Sequence, residues 1–278
     1  MNKTKRKNER AIIYILSLLC IVFTLFPILW AFSMSFKPAT EIITATPEML
    51  PKEPTLQNYV NVWTESSFSN YFRNSLLTSS IAVIVIVIMS TLNGFALSRL
   101  RFRGRTAFTL MMLVSQMIPM MMVIIPQFII YKQLHLINKF AGVIISYVVM
   151  QLPFNTLLMR GFINSVPKEI DEAAMLDGCN RFQVVVKFIV PAILPGIVAT
   201  ASFAFISAWN DFFISFSFIV DQAKFTIAVG LKYLIGQYSV DYGAIAAGSM
   251  IALLPPILLF AYVQRYLVAG LTAGSTKG

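Results

Sequence analysis

The sequence predicts an all-α, polytopic membrane protein with six transmembrane helices. Of its 278 residues, 57% are hydrophobic and only 12% are charged, whereas soluble domains carry about a quarter charged residues. Several uncharged runs reach eighteen residues or more, which is the length that crosses a hydrocarbon core of roughly 30 Å. Together these observations exclude an ordinary soluble domain.

Six apolar runs, uncharged except for Asp211 in the fifth, are the predicted spans. In the third run, Pro119 and Pro126 predict local kinks, because proline removes a backbone donor and clashes with the preceding helical turn. An even number of spans puts both termini on the same side of the membrane. The runs cover residues 11–34, 74–98, 106–131, 140–159, 192–219 and 242–264.

Lys and Arg are concentrated in alternate connecting segments, which carry 15 of them against seven in the others. Because basic residues are retained on the cytoplasmic side, the sequence predicts that both termini lie in the cytoplasm. The basic segments are 1–10, 99–105, 160–188 and 265–278.

Four arginines lie close together between the second and third spans. Such a cluster is compatible with a lipid or nucleotide site, but a short arginine-rich loop between two spans is usually a topology anchor. We favour the anchor for Arg99, Arg101, Arg103 and Arg105. Cys20, Cys179 and the single His135 have no metal-binding spacing, so no metal or cofactor is expected.

The loop 165–191, between the fourth and fifth spans, predicts two short helices. Pro167 suits the first turn of a helix, and Gly178 suits its termination. Asn180 and Gln183 have the spacing of a capping box for a second helix. Pro191 and Pro195 then interrupt or kink the chain.

Small residues lie in the middle of the first loop helix. Ile170, Ala173, Ala174 and Asp177 share one helical spacing, so this face suits the close approach of another backbone. The alternative is a surface helix whose alanines only raise helix propensity. The spacing leaves both interpretations open.

This loop resembles the EAA loop of ABC importer permeases. The pattern is Glu172-Ala173-Ala174, three residues, Gly178, nine residues and then residues 188–191, where Phe188 and Val190 replace the usual Ile and Leu. Three further segments resemble the carbohydrate subfamily, and in particular the smaller maltose-type permease subunit. They are Trp209-Asn210-Asp211, Leu254-Pro255-Pro256 and the glycine-rich tail 270–278.

The resemblance implies a type I ABC importer permease fold over the whole chain and a coupling helix that lies in a cleft of a cytoplasmic ATPase. The residues expected to couple are Glu172, Ala173, Ala174, Asp177, Gly178 and Pro191. On composition, the tail would be a frayed terminus. By resemblance, it inserts between two ATPase subunits through Ala273, Gly274, Ser275, Thr276, Lys277 and Gly278.

The same resemblance implies location in a bacterial inner or plasma membrane, and it also implies the partners. They are a second, different permease subunit, two cytoplasmic ATPase subunits and an extracellular or periplasmic solute-binding protein, with membrane lipid around the spans and no nucleic acid. The chain has no G-x-x-x-x-G-K-[ST] phosphate loop. We therefore expect a transport subunit without ATPase activity, which forms half of the pathway for a mono- or oligosaccharide.

Asp211, Asn210 and Asn155 are the candidate pathway or gate residues. Asp211 is the one acidic residue within the six runs, and an ionisable group in a span is a functional candidate. Counted at 1.5 Å per residue, it lies roughly 30 Å along the fifth span and near the outer surface. A gate role and a plain interfacial position are both compatible with this depth. The two asparagines either join helices or line the pathway.

Two alternative functions remain. An ion-coupled secondary carrier often has broken helices and intramembrane acids, although Asp211 alone gives this class little support. An ABC importer for glycerol-phosphate belongs to the same family. A membrane-bound enzyme is disfavoured because the sequence has no nucleophile elbow and no H-E-x-x-H string.

Overall fold

The computed structural model of the chain describes the backbone of residues 3–235 and 240–275, and the side chains of residues 12–264 except in that gap and at position 65. Most of the described residues are helical. They form α1 (Lys3–Ser35), α2 (Ala39–Ile42), α3 (Gln57–Val60), α4 (Phe68–Arg99), α5 (Arg105–Ser115), α6 (Met120–Gln133), α7 (Phe140–Ser165), α8 (Lys168–Leu176), α9 (Arg181–Val184), α10 (Val190–Ala192), α11 (Leu194–Trp209), α12 (Phe213–Phe218), α13 (Ile227–Tyr233) and α14 (Tyr242–Ser275).

Four helices are long and apolar enough to cross a membrane. They include the apolar parts of α1 and α14, together with α4 and α7. Two further pairs pass the same criteria but are sharply bent, by 101° between α5 and α6 and by 83° between residues 181–192 and α11. The predicted all-α, polytopic class is confirmed, and six spans result when each bent pair counts as one.

The third predicted span, 106–131, is interrupted. Helix α5 ends at Ser115, and α6 begins after Pro119, whose backbone is extended. A proline disfavours helical geometry in the residue before it, so Pro119 produces a change of direction much larger than a local kink. Pro126 lies inside α6, which continues past it.

The fifth predicted span, 192–219, also differs from one continuous helix. The chain breaks at Ile193, where Pro195 occupies the first turn of α11, and α11 ends at Trp209. The short helix α12 follows as a separate element. The mean hydropathy of residues 192–219 is that of an apolar run, but mean hydropathy carries no information about where the backbone changes direction.

The described residues divide into two compact units. One contains residues 1–69 and 231–254, and the other contains residues 70–230 and 255–278. In the first unit, the side-chain amide of Asn58 donates to the carbonyl oxygens of Ser35 (3.0 Å) and Lys37 (2.8 Å). The ammonium group of Lys37 lies 5.3 Å from the centroid of the Trp30 ring. These contacts order the segment that follows α1.

In the second unit, α7 is the central helix and contacts α5, α11 and α12. Glycines permit the closest approaches. A Cβ atom at Gly94 of α4 would lie 3.0 Å from the backbone nitrogen of Arg160 in α7. The same unit contains the whole loop 165–191, which packs on the ends of α4 and α7.

Candidate functional site

Helix α8 ends where its sequence predicts and begins one residue later than predicted. Pro167, expected in the first turn, is the N-cap residue with a ψ of 138°, and Glu169 and Asp171 lie in the first turn. Gly178 follows the helix with a φ of +85°, which is the left-handed conformation that glycine adopts without a steric cost. The amide of Gly178 donates to the carbonyl oxygen of Met175 over 3.1 Å. The predicted C-terminal end is confirmed.

The capping box at the start of α9 is also present. The backbone amide of Asn180 donates to Oε1 of Gln183 (2.8 Å), and the amide of Gln183 donates to Oδ1 of Asn180 (2.9 Å). A π-helical turn at Val185–Ile189 follows, which the sequence analysis does not predict. It leads into α10 and the bend at Ile193.

The two alanines of α8 have different surroundings. Ala174 is 2% exposed and packs with Asp171 toward the rest of the unit, whereas Ala173 is exposed. The sequence predicted one small face that contains both alanines. In the structure the two alanines lie on different sides of α8, so this prediction is wrong. Ala174 belongs to a buried apolar cluster composed of Phe95, Met159, Ile163, Val166, Ala174, Val184, Val185, Ile189 and Ile193.

Other side chains of the loop are exposed, and two of them are large and apolar. Leu176 is 89% exposed and Phe182 is 67% exposed. Glu172, Ala173 and Asp177 are exposed beside them in the sequence. We call these five residues the exposed loop face. Large exposed apolar side chains surrounded by charged groups are typical of a protein interface.

A buried ion pair fixes α8 to the end of α4. The guanidinium Nε of Arg99 donates to Oδ2 of Asp171, and the two side chains are only 6% and 9% exposed. Nη2 of Arg99 also donates to the carbonyl oxygen of Val166 over 2.7 Å. Arg101 and Arg103 are exposed, so the interpretation of all four arginines as a topology anchor misses the distinct position of Arg99.

A cavity of about 150 Å³ lies beside this ion pair. Oδ1 of Asp171 is buried and has no hydrogen-bond partner among the described residues. Three basic and two acidic side chains line the cavity, together with apolar side chains that include Phe95 and Val184 of the buried cluster. The five charged residues are Arg99, Lys168, Arg181, Asp171 and Glu172.

Residues 90–273 match the model of the family described as binding-protein-dependent transport system inner membrane component. The match includes the end of α4, the loop 165–191 and both bent helix pairs. The chain belongs to this family. It is therefore a membrane permease of the ABC transporter class, and the resemblance identified on the loop residues is confirmed.

Two curated relatives cover nearly all of the permease. The diacetylchitobiose uptake system permease protein DasC of Streptomyces coelicolor is 34% identical over 91% of this chain and 92% of its own length. The arabinooligosaccharides transport system permease protein AraQ of Halalkalibacterium halodurans is 30% identical over 99% of this chain and all of its own length. Both relatives are named for carbohydrate transport.

A solved structure has the same fold. It is a bacterial ABC transporter involved in the import of the acidic polysaccharide alginate. The TM-score is 0.84 at 23% identity, and the alignment covers 96% of the permease and 98% of that chain. The breaks in the third and fifth predicted spans therefore occur within an ABC importer permease fold.

The three candidate pathway residues of the permease lie in two places. Asn155 is buried in α7, where its side-chain amide donates to the carbonyl oxygen of Gln151 in the same helix over 2.8 Å. Asn210 and Asp211 follow the end of α11. Oδ1 of Asp211 accepts hydrogen bonds from the amides of Ile214 (3.0 Å) and Ser215 (3.4 Å) in α12. Asp211 thus has a local capping role that the sequence did not predict.

The tail of the permease is described only in part. The backbone of Ala273, Gly274 and Ser275 forms the last turn of α14. Their side chains lie outside the described residues, as do Thr276, Lys277 and Gly278 entirely. The expected ATPase contact of this tail stays a prediction.

Proposed function

We propose that this permease forms half of the translocation pathway of an ATP-driven oligosaccharide importer. Its partners would be a second, different permease, two cytoplasmic ATPase subunits and an external solute-binding protein. Family membership supports the binding-protein-dependent class, and the relatives named for diacetylchitobiose and arabinooligosaccharides support a sugar as the solute. The permease itself would contribute no ATPase chemistry.

The observation that supports an ATPase partner is the exposed loop face. Leu176 and Phe182 are apolar and strongly exposed on consecutive short helices. Burying an apolar side chain contributes about 1.5–3 kcal/mol relative to leaving it in water. A groove on a partner protein would supply that burial. Because the ATPase must act from the cytoplasm, this loop and both termini are proposed to be cytoplasmic, as the distribution of basic residues favours.

Each coupling candidate has a separate part in this proposal. Glu172 and Asp177 would contact polar groups at the rim of the ATPase groove, since both are exposed. Ala173 permits close approach, and Ala174 anchors α8 inward through the apolar cluster. Gly178 sets the turn into α9. Pro191 lies in α10, at the connection to α11.

The remaining partner contacts follow from the same architecture. The tail from Ala273 to Gly278 is proposed to reach the ATPase, because its small residues suit a narrow crevice. The exposed apolar side chains of α1, such as Phe23 at 83%, require lipid or a neighbouring subunit as their surroundings. Asn210 and Asp211 are proposed to lie at the outer end of the pathway, where α11 ends.

The test is transport by the purified complex. The tagged permease, with the subunits that co-purify with it, is reconstituted in liposomes and supplied with ATP and the solute-binding protein. We expect ATP-dependent uptake of at least one of radiolabelled diacetylchitobiose, arabinotriose and maltose. Uptake of glycerol 3-phosphate instead would replace the sugar assignment, and uptake driven by an ion gradient without ATP would contradict the class.

Variants at the exposed loop face test the coupling assignment. Leu176→Ser is expected to weaken ATPase retention on the permease and to lower uptake in parallel. Phe102→Ser is the matched control, because Phe102 is 46% exposed in the preceding basic loop and outside the exposed loop face. Equal loss of ATPase retention in both variants would show that this face is not the docking surface.

A further inference from the structure

We propose that the Arg99–Asp171 ion pair acts as a latch that makes α8 and the end of α4 move as one body when the ATPase moves α8. This inference rests on the proposed function, since it presupposes that α8 receives the movement of an ATPase. Arg99 and Asp171 are positioning residues in this mechanism. Neither is required to touch the ATPase or the solute.

The contacts of Arg99 join three elements. Its side chain extends from the last residue of α4 to Asp171 in the first turns of α8. It also donates to the carbonyl oxygen of Val166, in the link between α7 and α8. A second contact between α4 and α7 lies directly beside it, where the hydroxyl group of Ser98 donates to the side-chain oxygen of Asn164. The end of α4 is thus held at several points.

Burial makes this ion pair resistant to separation. Both side chains are more than nine-tenths buried, and pulling them apart would leave two uncompensated charges inside the protein, which is strongly unfavourable. A force on the exposed side of α8 would therefore move α4 before it broke the pair. An exposed ion pair would be screened by water and would yield easily.

Apolar contacts also connect α8 with the end of α4. Phe95, one turn before Arg99 on α4, lies in the buried cluster together with Ala174 of α8. Van der Waals contacts resist compression, but they permit sliding. The directional ion pair fixes the register of α8 along α4, so the two kinds of contact are complementary.

The experiment measures the separation of α4 and α8 in the whole transporter complex. Spin labels are placed at Leu92→Cys in α4 and Glu169→Cys in α8, both exposed positions, after Cys20 and Cys179 are changed to alanine. The distance between the labels is measured without nucleotide and with ATP and vanadate. We expect the wild-type distance to be the same in both states, and in Arg99→Gln we expect it to shift and broaden on trapping.

A second readout is the amount of sugar transported per ATP hydrolysed. With the best-transported sugar of the panel, this ratio is expected to fall roughly tenfold in Arg99→Gln, which is a typical size for coupling between sites, while ATP hydrolysis persists. Arg103→Gln is the matched control, because Arg103 is an exposed arginine of the same loop. Its ratio should equal that of the wild type.

The double variant Arg99→Met/Asp171→Leu separates the latch from a merely structural role. It removes both charges together, so no buried charge is left without a partner. It is expected to retain most of the thermal stability and to show a lowered ratio, because the directional ion pair is absent. The same variant provides the test if Arg99→Gln does not fold.

Two results would overturn the latch. One is a label distance that already changes in the wild type on trapping, and the other is a wild-type ratio in both Arg99→Gln and the double variant Arg99→Met/Asp171→Leu. Failure of the proposed function would look different, because no ATPase would co-purify with the wild-type permease or no ATP-driven uptake would occur.

Discussion

Gly196 of α11 lies directly against the ring of Phe162 in α7. A Cβ atom at Gly196 would be 2.6 Å from Cδ2 and 2.8 Å from Cβ of Phe162, which is closer than van der Waals contact allows. The base of the Phe162 side chain cannot move away without its helix. This contact therefore sets how closely α7 and α11 approach each other.

Gly196→Ala is expected to lower the free energy of unfolding by about 1–3 kcal/mol, because an added methyl group overpacks a tight contact. The measurement is denaturation of the purified permease by SDS titration. Gly161→Ala is the control, since a Cβ at Gly161 meets no atom within 4 Å. Alanine there should be neutral or stabilising by about 0.5–1 kcal/mol. Equal behaviour of the two variants would contradict the packing argument.

Gly178→Ala is expected to destabilise the loop by about 1–2 kcal/mol, because in the left-handed conformation a Cβ atom lies too close to the following carbonyl oxygen. Gly104 has a φ of +89° and equally open surroundings, so Gly104→Ala should cost a similar amount. Sugar uptake per ATP hydrolysed should fall only in Gly178→Ala. A comparable loss of coupling in Gly104→Ala would mean that the turn after α8 has no special part.

Asp171→Leu should lower the free energy of unfolding by about 3–5 kcal/mol, because it leaves Arg99 buried without a counter-charge. The double variant Arg99→Met/Asp171→Leu should recover most of this loss, since apolar side chains can replace a buried ion pair at little cost. SDS titration of the two variants and the wild type measures the difference. A double variant as unstable as the single one would show that the specific geometry of the pair is indispensable.

Asp211→Ala is expected to destabilise the connection to α12 by about 1 kcal/mol, a typical loss for a capping side chain. Asp211→Asn keeps an oxygen acceptor for the amides of Ile214 and Ser215, so it should retain both stability and uptake. Asp221→Ala is the comparison for loss of a capping carboxylate at an exposed turn. Oδ1 of Asp221 accepts a hydrogen bond from the amide of Ala223 there, over 3.0 Å. Loss of uptake in a stable Asp211→Asn variant would instead support a gate role for the charge.

The sequence predicted those parts of the loop that depend on local signals. Pro167, Gly178 and the Asn180–Gln183 pair each act on backbone groups within a few residues. Gly178 and the Asn180–Gln183 pair have the expected geometry, and the helix begins one residue after Pro167. The apolar runs likewise located the long apolar helices α1, α4, α7 and α14, because suitability for a membrane span depends on composition over about twenty residues.

Features that depend on distant contacts were not predictable in the same way. Arg99 and Asp171 are 72 residues apart, and in the sequence Arg99 is indistinguishable from Arg101 and Arg103. The different surroundings of Ala173 and Ala174 depend on the rotation of α8 about its own axis, which its packing in the buried apolar cluster determines. The capping role of Asp211 required the end of α11 to be known.

The bend at Ile193 places residues 181–192 nearly at right angles to α11. The arm formed by residues 181–192 is about 18 Å long at 1.5 Å per residue, and it meets α11 at 83°. If this elbow is stiff, a sideways displacement of about 1 Å at the far end of the arm corresponds to a rotation of roughly 3° in α11. A sideways displacement of residues 181–192 would thereby become a rotation of α11 about its own axis.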